Sequence, residues 1–121
     1  MEIQESGEMY LESIYVLTER DGKARSIDVA EYLKVSRPSV SQAVGNLRNR
    51  GYITVEDDGT LSLTEPGREI AVKIFERHTL LSTVLKNIGV SPETAAEDAC
   101  RIEHVISDES FNAIKTHLAE N

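Results

Sequence analysis

Residues 36–64, "SRPSVSQAVGNLRNRGYITVEDDGTLSLT", predict a helix followed directly by a β-hairpin. Ser36 is a suitable N-cap, and Pro38 falls in the first turn, where a missing N–H costs little. Gly51 ends this helix, and apolar residues then alternate with polar ones. The Asp-Gly pair at residues 58 and 59 is a strong turn signal between the two predicted strands.

The residues before this stretch predict two further helices. Ser26 can cap a short helix within "ARSIDVAEYLKV", and the tight connection "LKVS" joins it to the helix after Ser36. Two short helices joined in this way are typical of a helix-turn-helix, and a hairpin directly after it makes a winged helix. A first helix is predicted from Glu8 to Glu19 by its apolar periodicity, with Ser6 as N-cap.

The residues after the hairpin predict three more helices. Thr64 caps a long helix that ends near Gly89, Ser91 caps the next, and a last helix follows Ser107. The predicted fold is mainly α with a small β-hairpin wing. We expect an N-terminal winged helix-turn-helix at residues 1–64 and a C-terminal helical domain at residues 65–121.

Composition argues against a membrane protein and against a secreted, disulfide-bonded protein. The chain has 121 residues, of which 40% are apolar, enough for a core built mainly from aliphatic side chains. No apolar run approaches the roughly 20 residues that span a bilayer. The first residues, Met-Glu-Ile-Gln-Glu, do not resemble a signal peptide. A single cysteine cannot form an intramolecular disulfide, so we expect a cytoplasmic protein that does not enter membranes.

The charge is unevenly distributed. The net charge is −8, yet residues 20–50 carry +4 and the rest of the chain carries −12. A basic segment within an acidic chain can be a DNA footprint. The acidic remainder would repel DNA unless a bound cation neutralised part of it.

The helix after Ser36 carries the candidate DNA-binding residues, because the N-terminal residues of this helix enter the major groove in a helix-turn-helix. Gln42 could read an adenine edge, and Arg37 could pair with guanine or phosphate. Small hydroxyls and one further arginine suit phosphate oxygens: Ser36, Ser39, Ser41 and Arg25. The alternative is a solvated helix face.

Cys100, Glu103 and His104 occupy i, i+3 and i+4, which on a helix is one arc of about 100°. All three residue types bind metals once the thiol and imidazole are deprotonated. A partner helix would have to complete the coordination sphere, and three candidates for this are available: Met9, Glu12 and His78. Three other interpretations stay open, namely a buried structural cysteine, a Cys–His nucleophile, and a metal-independent regulator with Cys100 as redox sensor.

Five stretches carry a resemblance that extends over almost the whole chain. In order they are "EMYLESIYVL", "VSRPSVSQAV", "LSLTEPGREIA", "ERHTLL" and "DACRIEHVISDE". They resemble the diphtheria-toxin-repressor family of iron- or manganese-dependent bacterial transcriptional repressors. Since the sequence ends at Asn121, we expect the two-domain form, without the SH3-like third domain of some members.

The resemblance implies a homodimer that binds Fe(II) or Mn(II), with other divalent transition metals able to substitute. The loaded dimer would bind a palindromic double-stranded operator and repress metal-uptake or metal-homeostasis genes, and would not be an enzyme. The resemblance also implies that residues 65–121 are the metal-binding and dimerisation domain. The implied metal ligands are Met9, Cys100, Glu103 and His104, with a second site that includes His78. Ser36, Pro38 and Gln42 fall at the family's operator-reading positions.

At the metal-binding positions, the chain differs from both the iron-type and the manganese-type members of this family. Ser82 and Ala96 stand where iron-type members would carry a glutamate and a second histidine. Glu12 falls where manganese-type members carry a bridging glutamate, but those members have carboxylates in place of Met9 and Cys100. We therefore expect a mixed second site of Glu12 and His78 beside Glu103. The soft thioether and thiolate favour iron, whereas Glu12 favours manganese.

Overall fold

The computed structural model describes residues 5–120, so the outer limits of the predicted domains, residues 1 and 121, lie outside the described part. The chain divides into two compact units, one up to Val72 and one from Lys73 onward. The division falls within a long helix, α4. Each unit is described by itself below.

The first unit consists of three helices and a small sheet before α4. In chain order its elements are α1 Glu5–Asp21, β1 Ala24–Arg25, α2 Ser26–Leu33, α3 Arg37–Asn49, β2 Ile53–Val55 and β3 Thr60–Leu63, followed by the first part of α4 Glu65–Asn87. The predicted helix-turn-helix and wing are present as α2, α3 and the β2–β3 hairpin. The predicted fold class, mainly helical with a small sheet, is confirmed.

The helix caps show where local sequence rules hold. Ser36 accepts a hydrogen bond from the backbone N–H of Ser39 at 3.2 Å and caps α3, as predicted. The predictions for Ser6 and Ser26 are wrong, because Ser6 lies inside α1 and Ser26 is the first residue of α2. At α2 the backbone N–H of Arg25 instead donates to Asp28 Oδ2 at 3.0 Å.

The sheet has three strands in the order β1-β3-β2, all antiparallel. The sequence indicated the hairpin but not β1, because two residues are too few to show alternation. In β1, Ala24 pairs with Leu61 and is fully buried. This strand attaches the connection between α1 and α2 to the wing.

The core of the first unit is aliphatic, as the composition predicted. Leu11, Ile14 and Leu17 of α1 are buried together with residues of the helix-turn-helix and sheet. These are Val29, Ala30, Val40, Leu47, Ile53 and Leu61. Burying each large aliphatic side chain contributes roughly 1.5–3 kcal/mol, so this cluster fixes where α3 sits beside the wing.

The wing is attached to the start of α4 by backbone contacts. Thr64 donates its backbone N–H to Tyr52 O at 3.0 Å and its hydroxyl to Gly51 O at 2.7 Å. Gly67, in the first turn of α4, lies so close that an added Cβ would be 2.0 Å from Tyr52 O. Only glycine therefore fits at residue 67.

The second unit contains the rest of α4, α5 Pro92–Ile102 and α6 Asp108–Glu120. The predicted cap of α5 is present, since Ser91 accepts from Thr94 N–H, and at the start of α6 Ser107 accepts from Ser110 N–H. The unit buries a small set of apolar side chains: Ile74, Leu81, Ala95, Ala99 and Phe111. Two charged residues, Arg77 and Glu103, are buried with them.

One prediction about α5 needs correction. The helix ends at Ile102, so Glu103 is its C-cap and His104 lies in the following turn, instead of all three candidate ligands lying on one helix. Glu103 keeps helical backbone angles, with φ −58° and ψ −26°, so the side chains of Cys100 and Glu103 still project from one end of the helix.

Within residues 5–120, no helix combines the length and the apolar character that crossing a bilayer requires.

We expect Gly67→Ala to destabilise the protein by about 1–3 kcal/mol, because the new methyl group must displace the backbone of Tyr52. Urea unfolding followed by circular dichroism measures this change. Gly45→Ala is the control, since it adds the same methyl group inside α3, where, apart from its chain neighbours and the adjacent backbone of α3, no atom of residues 5–120 lies within 4 Å of the new Cβ. That variant should be neutral or stabilising. Equal stability losses in both variants would contradict the steric explanation.

Candidate metal centre

Cys100, Glu103 and His104 form a compact cluster in the second unit. One ligand atom from each lies within 4.8 Å of the others. The cysteine is half-buried, the Glu103 carboxylate is fully buried, and 1% of the His104 side chain is exposed. The cluster thus offers a thiol sulfur, a carboxylate oxygen and an imidazole nitrogen at one place.

The Glu103 carboxylate lies between two histidines. Its Oε2 is 2.8 Å from His78 Nδ1, contributed by α4, and its Oε1 is 3.4 Å from His104 Nε2. A hydrogen bond at the first contact requires His78 Nδ1–H to donate to the carboxylate. Within the second unit, the structure therefore brings together four of the six predicted metal ligands.

The buried carboxylate lacks full compensation within the protein. Among residues 5–120, Glu103 Oε1 accepts no hydrogen bond, because the 3.4 Å approach to His104 is not a hydrogen bond by geometry. Burying a carboxylate without full pairing is costly, and buried carboxylates are paired or coordinate metals. A divalent transition metal fits this site, because its charge would offset the carboxylate and its preferred ligands include thiolate, imidazole and carboxylate.

The other two predicted ligands, Met9 and Glu12, belong to the first unit. Both are half-buried on α1, about one helical turn apart. Ser82, at a position where a glutamate was expected, is half-buried on α4, and its hydroxyl oxygen makes no hydrogen bond to any described residue. Ala96 is exposed on α5 and offers no ligand atom.

The candidate DNA-binding residues lie on the surface of the first unit. Those predicted on and before α3 are all exposed: Ser36, Arg37, Pro38, Ser39, Ser41 and Gln42. No acidic residue occupies the first turn of α3, so the partial positive charge of the helix N-terminus is not offset there. The Ser36 hydroxyl caps the helix and also donates to Ser39 Oγ at 2.8 Å.

Arg25 is paired with the wing. Its guanidinium lies 3.6 Å from Asp58 Oδ2, and Lys23 Nζ lies 3.9 Å from the same oxygen. A hydrogen bond from the backbone N–H of Thr60, followed by the charges of Arg25 and Lys23, holds the pKa of Asp58 below its usual value. The sequence indicated Asp58 only as a turn residue, because its ionic partners come from β1 and the residue before it.

Sequence reasoning also missed Arg77, which is buried on α4 and bonded to the connection between α5 and α6. Its position directly before His78 was the available signal. An arginine in a helix otherwise reads as surface charge, so burial of this one could not be predicted from the pattern.

A winged helix in one unit, with a thiol, a carboxylate and imidazoles gathered in a second helical unit, is the arrangement that the resemblance predicts for a metal-responsive DNA-binding protein. Residues 2–61 match the family model of the iron-dependent repressor N-terminal DNA-binding domain. Residues 64–120 match the iron-dependent repressor metal-binding and dimerisation domain. The chain belongs to the iron-dependent repressor family, and the resemblance seen in the sequence is confirmed.

The relatives include both iron and manganese regulators. The HTH-type transcriptional regulator MntR of Geobacillus kaustophilus is 42% identical over 109 residues, covering 90% of this chain and 75% of MntR. The diphtheria toxin repressor of Corynebacterium diphtheriae is 36% identical, covering 89% of this chain and 48% of the repressor. The iron-dependent repressor IdeR of Mycobacterium tuberculosis is 38% identical, covering 89% and 47%. The chain thus spans about half the length of the last two relatives.

Solved structures agree with the fold. A manganese-dependent transcriptional repressor in complex with manganese superposes with a TM-score of 0.85 at 29% identity, covering 93% of this chain and 52% of that one. The manganese regulator SloR superposes with a TM-score of 0.84 at 29% identity, covering 100% of this chain and 56% of that one.

We expect Glu103→Gln to weaken metal binding at least 100-fold while leaving the metal-free protein as stable as before or more stable. The amide removes the buried charge that lacks full compensation, yet it is a poor metal ligand. Calorimetric titration with Mn²⁺ and urea unfolding in chelator measure the two effects. Glu97→Gln is the control, because Glu97 is an exposed carboxylate on α5, the helix whose C-cap is Glu103. Unchanged Mn²⁺ affinity in Glu103→Gln would contradict the assignment.

Proposed function

We propose that this protein is a metal-dependent transcriptional repressor that senses Fe(II) or Mn(II) and represses metal-uptake or metal-homeostasis genes. The observation that carries the proposal is the buried Glu103 carboxylate, with His78, His104 and Cys100 around it, in a chain that also contains a winged helix. The activity is binding and not catalysis. The cytoplasmic location predicted from the cysteine content belongs to the same proposal.

The proposed ligands are the four residues of the second unit together with Met9 and Glu12. The thioether and carboxylate of α1 have the chemistry that the thiolate–imidazole set would need to complete a coordination sphere. Sulfur ligands favour Fe(II), and the several carboxylate and imidazole ligands also accept Mn(II). When bound, the metal would supply positive charge to an acidic chain and hold its ligands in one arrangement.

Metal and DNA binding would be coupled. Residues 1–64 are proposed to read DNA, and residues 65–121 are proposed to supply most metal ligands and the dimer contacts. The match to a metal-binding and dimerisation domain supports a homodimer. If metal raises DNA affinity by some factor, linkage requires DNA to raise metal affinity by the same factor.

The DNA contacts are proposed on α3, on its N-cap Ser36 and on Arg25 of β1. Gln42 would read a base edge, Arg37 would contact guanine or phosphate, and Pro38 would lie against the groove. The remaining residues would contact phosphates and fix the register: Arg25, Ser36, Ser39 and Ser41. Their shared exposure on one unit supports this set.

The first experiment selects double-stranded DNA from a random library with Mn²⁺-loaded protein. We expect selected sequences with inverted symmetry, because a two-fold symmetric dimer presents two identical recognition helices. Gel-shift titration on a selected duplex should then show at least tenfold tighter binding with Mn²⁺ or anaerobic Fe²⁺ than with chelator.

Cys100→Ala should weaken the response of DNA binding to metal, because it removes the thiolate ligand. The chelated protein should bind DNA as weakly in the variant as in the wild type, which controls for damage to the winged helix. Equal DNA affinity with chelator and with metal in the wild type would overturn the proposed function. Oxidant-sensitive DNA binding in chelated protein would instead favour Cys100 as a redox sensor.

Asp58→Asn should increase affinity for DNA of unrelated sequence and steepen its salt dependence. The change leaves Lys23 and Arg25 without their carboxylate partner, while the amide oxygen can still accept the Thr60 N–H at the turn. Each added phosphate contact steepens the slope of log K against log salt by about 0.9. Asp57→Asn, an exposed neighbour on the same turn, controls for the loss of one negative charge. The same slope in both variants would contradict the pairing argument.

A further inference from the structure

Arg77 is a buried cation whose hydrogen bonds go mainly to backbone. Only 6% of the residue is exposed. Its Nη1 donates to the carbonyl of Glu103 at 3.1 Å and to the carbonyl of Ile106 at 2.9 Å. These two carbonyls belong to the turn between α5 and α6, beyond the last residues of α5.

Such carbonyls need donors. Carbonyls in a turn have no regular helical or sheet partner, and burying a backbone carbonyl unpaired is costly. Arg77 supplies the donors from α4, so one side chain forms hydrogen bonds to two carbonyls of the turn that carries Glu103 and His104. Because the guanidinium is a rigid planar group, it also fixes the separation of the groups it bonds.

The opposite edge of the guanidinium is fixed as well. Arg77 Nη2 donates to Asp108 Oδ1, at the start of α6, and the guanidinium lies 5.6 Å from the centroid of the Phe111 ring. Lys73 also bonds Asp108, at 3.0 Å. The hydrogen bond and charge of Lys73, and then those of Arg77, hold the pKa of Asp108 below its usual value.

Glu103 is therefore held at both ends by consecutive residues of α4. Arg77 bonds its backbone carbonyl, and His78 contacts its carboxylate at 2.8 Å. The contact with Arg77 fixes the position of the Glu103 backbone, and the contact with His78 fixes the position of the Glu103 carboxylate.

We propose that Arg77 is a positioning residue of the metal centre: its bonds to the Glu103 and Ile106 carbonyls shape the α5–α6 turn so that Glu103 and His104 are aimed at the metal before it binds. This inference rests on the proposed metal-sensing function. Groups that orient metal ligands typically change metal affinity about 10- to 100-fold when removed.

The test compares Co²⁺ binding by wild type, Arg77→Lys and Lys73→Gln. Arg77→Lys keeps the charge but loses the planar group that reaches two carbonyls and Asp108 together. Lys73→Gln is the matched control, because Lys73 bonds Asp108 yet is not bonded to either carbonyl. The visible absorption of bound Co²⁺ reports the number and geometry of its ligands, which a loss of general stability does not alter.

We expect Arg77→Lys to bind Co²⁺ about 10- to 100-fold more weakly and with a changed spectrum. Lys73→Gln should keep the wild-type affinity and spectrum. Wild-type affinity and spectrum in Arg77→Lys would overturn the inference, as would equal changes in both variants, since the effect would then come from Asp108.

Hydrogen exchange on the metal-free wild type tests the inference without any variant. The amides of Val105 and Ile106 donate to Ile102 O at 3.0 and 2.9 Å within this turn. If Arg77 shapes the turn before metal binds, both amides should be protected from exchange in chelator. Their protection should equal that of the α4 amides in the second unit. Protection that arises only with Co²⁺ would show that the metal orders the turn, and would overturn the inference even if Arg77→Lys fails to fold.

The two proposals fail differently. Wild-type protein that binds no Co²⁺ or Mn²⁺ overturns the proposed function, and this inference with it. Wild-type protein that binds metal, together with an Arg77→Lys variant that binds it identically, overturns only the role of Arg77.

Discussion

The second unit is organised around the burial of one carboxylate. Glu103 is fully withdrawn from solvent, and a carboxylate in that position is tolerated only with close positive or hydrogen-bonding partners. His78 supplies one partner at 2.8 Å, and Arg77 fixes the backbone from the same helix. The incomplete pairing of the other oxygen makes the protein-only arrangement costly, and a cation would remove that cost. If Glu103 is a metal ligand, as proposed, then the same side chain affects both metal affinity and local stability.

In the first unit, different residues stabilise the fold and present polar groups at the surface. Its aliphatic core and the contact between Gly67 and Tyr52 fix the helix-turn-helix beside the wing, while the polar residues of α3 stay on the surface. Asp58 then balances part of the basic charge next to the wing. For an acidic chain proposed to bind DNA, this balance limits attraction to phosphates in general and leaves base contacts on α3 to decide the sequence.

Prediction from sequence succeeded where a local rule acts alone. Ser36 and Ser91 each accept a backbone hydrogen bond at a helix start, and the Asp-Gly pair lies at the turn between β2 and β3. It failed where a longer-range contact competes. Ser26 does not cap α2, because β1 pairs with β3 up to Arg25 and the helix follows at once. The candidate ligands were identified by residue type, but α5 ends before two of them.

The sequence by itself determined the fold class, the family and the residue types of the site, because periodicity, caps and motif order are local properties of the chain. Only the tertiary structure decided which of those residues are in contact, how deeply they are buried and which charged groups lie beside them. Glu103 and His78 are far apart in sequence, and nothing local indicates that the carboxylate loses all contact with solvent. The same holds for Arg77, which is an ordinary helical arginine until α5 and α6 pack over it. Burial turns these common side chains into a charged site, and burial is a property of packing.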